Sequence, residues 1–118
     1  MSNAVVENNQ VTVDMSTLPK IIAVDFDGTL VSDDYPRIGS KNYRAFADMA
    51  LFKNMGYKFI LWTCRTGKAL DEAVEYCREQ GVVFDAVNKN LPEVIAMFGE
   101  DTRKVYADQY WDDKAVTP

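Results

Sequence analysis

Apolar runs alternating with helical periods set the frame of this chain. Ile21-Ile22-Ala23-Val24 is an unbroken apolar run that meets Asp25-Phe26-Asp27 and then Gly28. It is too short for a helix and too apolar for an exposed strand, which predicts a buried central strand of a parallel sheet. Residues 28–39 form a long connection carrying Asp33, Asp34, Tyr35, Pro36 and Arg37. Ser40 then stands as an N-cap. Tyr43, Phe46, Ala47, Ala50 and Leu51 recur at the spacing of one helix face, and Gly56 ends that helix.

The alternation continues. Residues 57–62 predict a second strand ending at Thr63. Leu70, Ala73, Val74 and Cys77 mark a second helix, capped by Thr66 and closed by Gly81. Residues 82–87 predict a third strand, Asn88-Lys89-Asn90 a turn, and Pro92 the first turn of a short helix ending at Gly99. Residues 104–111 predict a fourth strand running into Asp112-Asp113. Strands alternating with helices give right-handed βαβ units and a parallel sheet. Residues 1–19 are polar and form an N-terminal arm, in which Val11-Thr12-Val13 alternates like a short strand. Residues 20–118 make one α/β domain.

Composition narrows the chemistry. A chain of 118 residues supports one core. No apolar run approaches the ~20 residues of a membrane span, and no basic region leads into an apolar stretch at the N-terminus. A cytoplasmic protein without membrane partners is expected. The net charge of −5 gives no general attraction to phosphate backbones, so nucleic acid is not the expected partner. Cys64 and Cys77 are expected to be reduced and to fill core positions. Histidine is absent, which excludes Ser-His-Asp and Cys-His catalysis and every histidine metal site. Acid–base work therefore falls to carboxylates, Lys, Tyr or Cys.

The carboxyl ends of parallel strands face the crevice where open α/β sheets bind ligands. Asp25 and Asp27 stand at such an end. Two carboxylates with a backbone carbonyl between them can share Mg²⁺ with phosphate oxygens and water. Taken alone, the pair fits equally a turn in which both aspartates bond backbone N–H groups. The Thr63 hydroxyl has two readings of the same kind, a phosphoryl contact or a bond to a nearby carbonyl.

Three motifs in order carry a family resemblance, over about residues 20–116. Asp25-Phe26-Asp27-Gly28-Thr29-Leu30 resembles the first motif of the haloacid dehalogenase-like (HAD) superfamily. Leu61-Trp62-Thr63-Cys64-Arg65-Thr66-Gly67 is similar to the second, and Ala107-Asp108-Gln109-Tyr110-Trp111-Asp112-Asp113-Lys114 to the fourth. The resemblance implies a Rossmann-like three-layer α/β/α domain, with a four-stranded or slightly larger parallel sheet in the order 3-2-1-4. Residues 28–39 and 82–103 are too short for a cap domain, so a capless member is implied.

The implied activity is Mg²⁺-dependent hydrolysis of a small phosphorylated metabolite through a phospho-aspartate. The alternatives are a phosphatase of polynucleotide 3′-phosphate ends and an inactive phosphate-binding domain. Asp25 becomes the nucleophile and Asp27 the general acid and base. Thr63 would bond a phosphoryl oxygen, aided by the backbone N–H groups of Cys64 and Arg65 ahead of a helix. The Arg65 side chain is expected at the substrate or in a surface ion pair. The metal set is Asp25, Asp27, Asp113 and Asp112, with Asp113 the ligand and Asp112 orienting a lysine; Asp108 is the rival if the fourth strand ends early. Lys89 is preferred for that lysine, because Lys104 would begin a continuous strand at the opposite edge of the sheet. Tyr35-Pro36-Arg37 lies in the segment that flanks the site in capless relatives and is a candidate substrate contact.

Overall fold

The computed structural model describes residues 4–7, 10–13, 18–102 and 105–112. The apolar run forms strand β3 (Ile21–Val24), with all four residues buried. Successive strand residues face opposite sides of a sheet. Ile22 and Val24 accordingly join one apolar cluster, with Ala45, Phe46 and Met49 of helix α1 (Tyr43–Asn54) and Ala73 and Cys77 of helix α2 (Gly67–Glu79). Ile21 and Ala23 join a second cluster with Leu91 and with Val94 of helix α3 (Pro92–Phe98). Helices thus cover both faces of the sheet. Burying each large aliphatic of β3 contributes about 1.5–3 kcal/mol.

The parallel sheet runs β5-β4-β3-β6, with β4 Lys58–Leu61, β5 Ala86–Val87 and β6 Gln109–Trp111. This is the expected 3-2-1-4 order. Val24 lies opposite Leu61 on one side and Trp111 on the other, and Leu61 lies opposite Val87. Within the arm, β1 (Ala4–Glu7) and β2 (Gln10–Val13) pair antiparallel as a separate two-stranded sheet. The first of these strands is not announced by the sequence.

Two strands are shorter than their apolar patterns suggest, for a shared reason. The expected strand over 82–87 reduces to β5, and that over 104–111 to β6. Ahead of β5, the Phe59 N–H donates to Asp85 Oδ2 (2.9 Å) and the Asp85 N–H to the Phe59 carbonyl (2.9 Å). Ahead of β6, the Ile21 N–H donates to Asp108 Oδ2 (2.7 Å) and the Asp108 N–H to the Ile21 carbonyl (2.8 Å). In both places a carboxylate accepts the N–H that a neighbouring strand would otherwise bond. Asp108 therefore clasps the start of β3, at the edge away from Asp25, and its rival claim as a metal ligand falls.

Helix α1 turns a different face inward from the one expected. Ala45, Phe46 and Met49 are buried, whereas Tyr43 and Leu51 are 75% and 58% exposed. Phe52 decides the rotation, since its ring packs edge-on against Tyr57 (4.9 Å) and Trp111 (5.7 Å). The N-cap is Asn42 rather than Ser40, with Asn42 Oδ1 accepting from the Ala45 N–H at 3.1 Å. Thr66 precedes α2 as expected but makes no side-chain capping bond. Gly99 ends α3 at φ 80°. Among the described residues, no helix is long and apolar enough to cross a membrane.

Candidate functional site

Strand register builds the site. The residues just beyond the four strands form a row at one sheet edge: Asn88 after β5, Trp62 after β4, Asp25 after β3 and Asp112 after β6. The ladder extends into this row. The Asp25 N–H donates to the Trp111 carbonyl (2.8 Å), the Trp62 N–H to the Val24 carbonyl (2.9 Å) and the Asn88 N–H to the Leu61 carbonyl (2.7 Å). Asp25 and Asp112 therefore stand on neighbouring strands at the same level. Asp25 is half-buried, and its Oδ1 accepts from the Phe26 N–H (2.8 Å).

Thr63 is held from two sides. Its N–H donates to Asn88 Oδ1 (2.8 Å), and its Oγ1 accepts from the Arg65 N–H (3.2 Å). A hydroxyl that accepts one bond still has its O–H to give, so Thr63 can donate to an incoming oxygen. The Arg65 N–H is consumed in this turn and is not the anion donor expected of it. Cys64 is exposed rather than a core residue, as a residue at the tip of that turn must be. Cys77 is buried, and desolvation pushes its thiol up to about 12.

Arg65 departs furthest from expectation. It is 1% exposed, so it is neither a surface ion-pair partner nor open to substrate. Its Nε and Nη2 donate to Asp27 Oδ2 (2.8 Å) and Oδ1 (2.7 Å) as a fork. Nη1 donates to the Pro36 (3.0 Å) and Ala69 (3.2 Å) carbonyls, and Nη2 also to that of Arg37 (2.8 Å). A guanidinium has five N–H donors. All five are taken by protein acceptors. The group lies over the Phe26 ring (4.9 Å) and over the Tyr35 ring (5.1 Å). Its bond to Asp27 raises its hold on its proton above that of an ordinary arginine, against the opposing pull of burial.

Asp27, 17% exposed, thus presents both oxygens to Arg65. Each keeps one lone-pair site, but the carboxylate is turned away from a shared ligand role. Among the described residues, no three acidic, histidine or cysteine side chains group as a metal cluster. Asp113 and Lys104 lie outside the described residues. Mg²⁺ needs only one or two carboxylates beside phosphate oxygens and water, and the adjacent pair Asp25 and Asp112 meets that need with hard oxygen donors. Lys89 is exposed and lines a groove against α2 with Asp71 and Glu75; it makes no hydrogen bond or ion pair with the described residues.

A solved structure of a conserved protein from Bacteroides thetaiotaomicron is 45% identical to this chain, with a TM-score of 0.71, over 81% of this chain and 77% of that one. The chain belongs to that protein's family. No family model and no curated protein matches it.

Two asparagines complete the site without having been singled out. Asn88 sits at φ 54°, a left-handed conformation that asparagine tolerates better than most residues, and this aims its side chain at Thr63. Asn90 is fully buried. Its Nδ2 donates to Asp101 Oδ1 (2.8 Å) and Thr102 Oγ1 (3.1 Å), and its Oδ1 accepts from the Tyr106 N–H. The Asn-Lys-Asn turn was the available signal. Its asparagines carry the structural work, and the lysine between them projects to solvent.

Proposed function

We propose that this chain is a Mg²⁺-dependent, HAD-like phosphomonoesterase working through a phospho-aspartate. The observation that carries the reading is the register that sets Asp25 beside Asp112, with Thr63 beyond the neighbouring strand. In this reading an Asp25 oxygen attacks phosphorus as the bond to the alcohol oxygen breaks. Asp27 is assigned the transfer of a proton to the departing oxygen. Asp27 then takes a proton from water, whose oxygen attacks phosphorus and releases phosphate and a free Asp25. The Thr63 hydroxyl donates to a phosphoryl oxygen. Asp25 and Asp112 would hold the metal, which when bound supplies charge neutralisation at the phosphoryl group.

A cavity of about 190 Å³ adjoins this row, lined in part by Gly28, Thr29, Asn42, Trp111 and Asp112. An apolar cavity of ~150 Å³ holds a benzene ring, so the space suits a small leaving group better than a polynucleotide end. The buried Thr29 Oγ1 beside it has no hydrogen-bond partner among the described residues. The test is a panel of small sugar, polyol and nucleoside phosphates, with p-nitrophenyl phosphate and a 3′-phosphorylated oligonucleotide, assayed with Mg²⁺ and with chelator. Chelator-sensitive release of phosphate from the small esters supports the reading. Absence of turnover across the panel, or equal turnover in excess chelator, would overturn it.

A further inference from the structure

Arg65 is buried and fully engaged, and besides the Ala69 carbonyl in α2 it is tied to two further parts of the chain. One is the Asp27 carboxylate, through both of its oxygens. The other is the strap after β3, through the Pro36 and Arg37 carbonyls, with the Tyr35 ring stacked on the guanidinium. Because both sets of bonds leave one planar group, the strap carbonyls lie within a guanidinium's width of the proposed acid and base. The strap has few other ties. At its base the Ser32 N–H donates to the Ser40 carbonyl (2.8 Å) and the Ser40 N–H to Ser32 Oγ (2.8 Å), while Asp34 and Arg37 pair with one another at its exposed tip.

We propose that Arg65 is a positioning residue that fixes the Asp27 carboxylate and the 35–37 strap against each other, so that the proposed acid and the strap are held as one unit. This rests on the phosphatase reading for its catalytic half but not for its mechanical half. Arg65 itself touches no substrate, since none of its five donors is left over. A lysine cannot replace it, because one ammonium on a flexible stem cannot reach a carboxylate and three carbonyls in one plane.

The experiment combines hydrogen exchange with kinetics on Arg65→Lys and Asp27→Asn. In Asp27→Asn the fork loses its charged partner, and the Ser32 and Ser40 amides are expected to exchange about tenfold faster or more, although neither bonds the Asp27 side chain. The amides of β3 and β4 should keep their wild-type rates. Arg65→Lys should show the same local change, and should lower kcat on p-nitrophenyl phosphate by roughly 10- to 100-fold with KM within about threefold. Should Arg65→Lys fail to fold, the exchange result on Asp27→Asn decides by itself. Unchanged strap exchange in Asp27→Asn would overturn the proposal. So would an Arg65→Lys enzyme with raised KM and unaltered kcat, which is the mark of a substrate contact. A loosened strap in a protein whose wild type turns over no phosphate ester would uphold the coupling and end the phosphatase reading.

Discussion

Replacing Arg65 with methionine tests the burial of the guanidinium in its hardest form. Methionine keeps much of the side-chain volume between Phe26 and Tyr35 but removes every donor. The Asp27 carboxylate, 17% exposed, loses the cationic fork that holds both of its oxygens, and three carbonyls lose a partner. Breaking a buried ion pair from one side costs about 3–5 kcal/mol, because a charge is left without compensation. For 118 residues the unfolding entropy near the midpoint is about 0.25 kcal/mol/K, so that cost lowers Tm by about 12–20 °C. Adding Asp27→Asn to Arg65→Met removes the stranded charge. The double variant should therefore melt above the Arg65→Met single variant, a positive coupling that two separate losses would not give. Differential scanning calorimetry of wild type, both single variants and the double closes the cycle. An Arg65→Met loss below about 1 kcal/mol, the size seen for exposed pairs, would refute the buried five-donor arrangement.

Three further outcomes follow from the same geometry. Asp25→Asn should lower turnover by at least about 10³-fold while leaving the circular dichroism spectrum intact, and near-normal activity in the folded variant would remove Asp25 from the mechanism. Of the two thiols, Cys64 should react with a disulfide reagent at pH 8 within seconds to minutes, whereas Cys77, its thiol held near 12 by burial, is about one part in 10⁴ thiolate there and should react only on unfolding. Asn90→Leu strands the Tyr106 N–H and removes the side-chain amide bonds to Asp101 and Thr102, and should cost about 2–4 kcal/mol by urea unfolding.

The strand order was legible through the family resemblance, not through the apolar pattern, which gave only alternating strands and helices. The pattern did place carboxylates at the ends of buried strands, and register puts Asp25 and Asp112 side by side. Strand lengths were not legible, because the apolar stretches at 82–87 and 104–111 both begin before the points where Asp85 and Asp108 intercept the ladder. The inward face of α1 was misread for a related reason. Two overlapping stripes share helical spacing, and the choice between them is made by the Phe52 contact with Trp111, across the fold. Arg65 was the least legible of all. An arginine beside a candidate phosphate site is expected to face the ligand, and its burial depends on carbonyls from residues 36, 37 and 69 converging on it.

The shortened β6 also changes the argument about the lysine of the proposed mechanism. Lys104 was set aside because a continuous strand from 104 to 111 would begin at the far edge of the sheet, at about 3.3 Å per residue from the acidic row. The strand begins at Gln109, so that distance argument no longer applies. Lys89 meanwhile stands exposed against α2, without a bond to Asp25 or Asp112. What the structure does show is Asn90 gripping the chain on both sides of residues 103–104, at Asp101 and Thr102 before them and at Tyr106 after. A fully buried asparagine whose amide is bonded on both sides of this segment holds it in place. If that segment supplies the lysine, Asn90→Leu should reduce turnover by much more than Lys89→Ala does, even at temperatures where the Asn90 variant is fully folded.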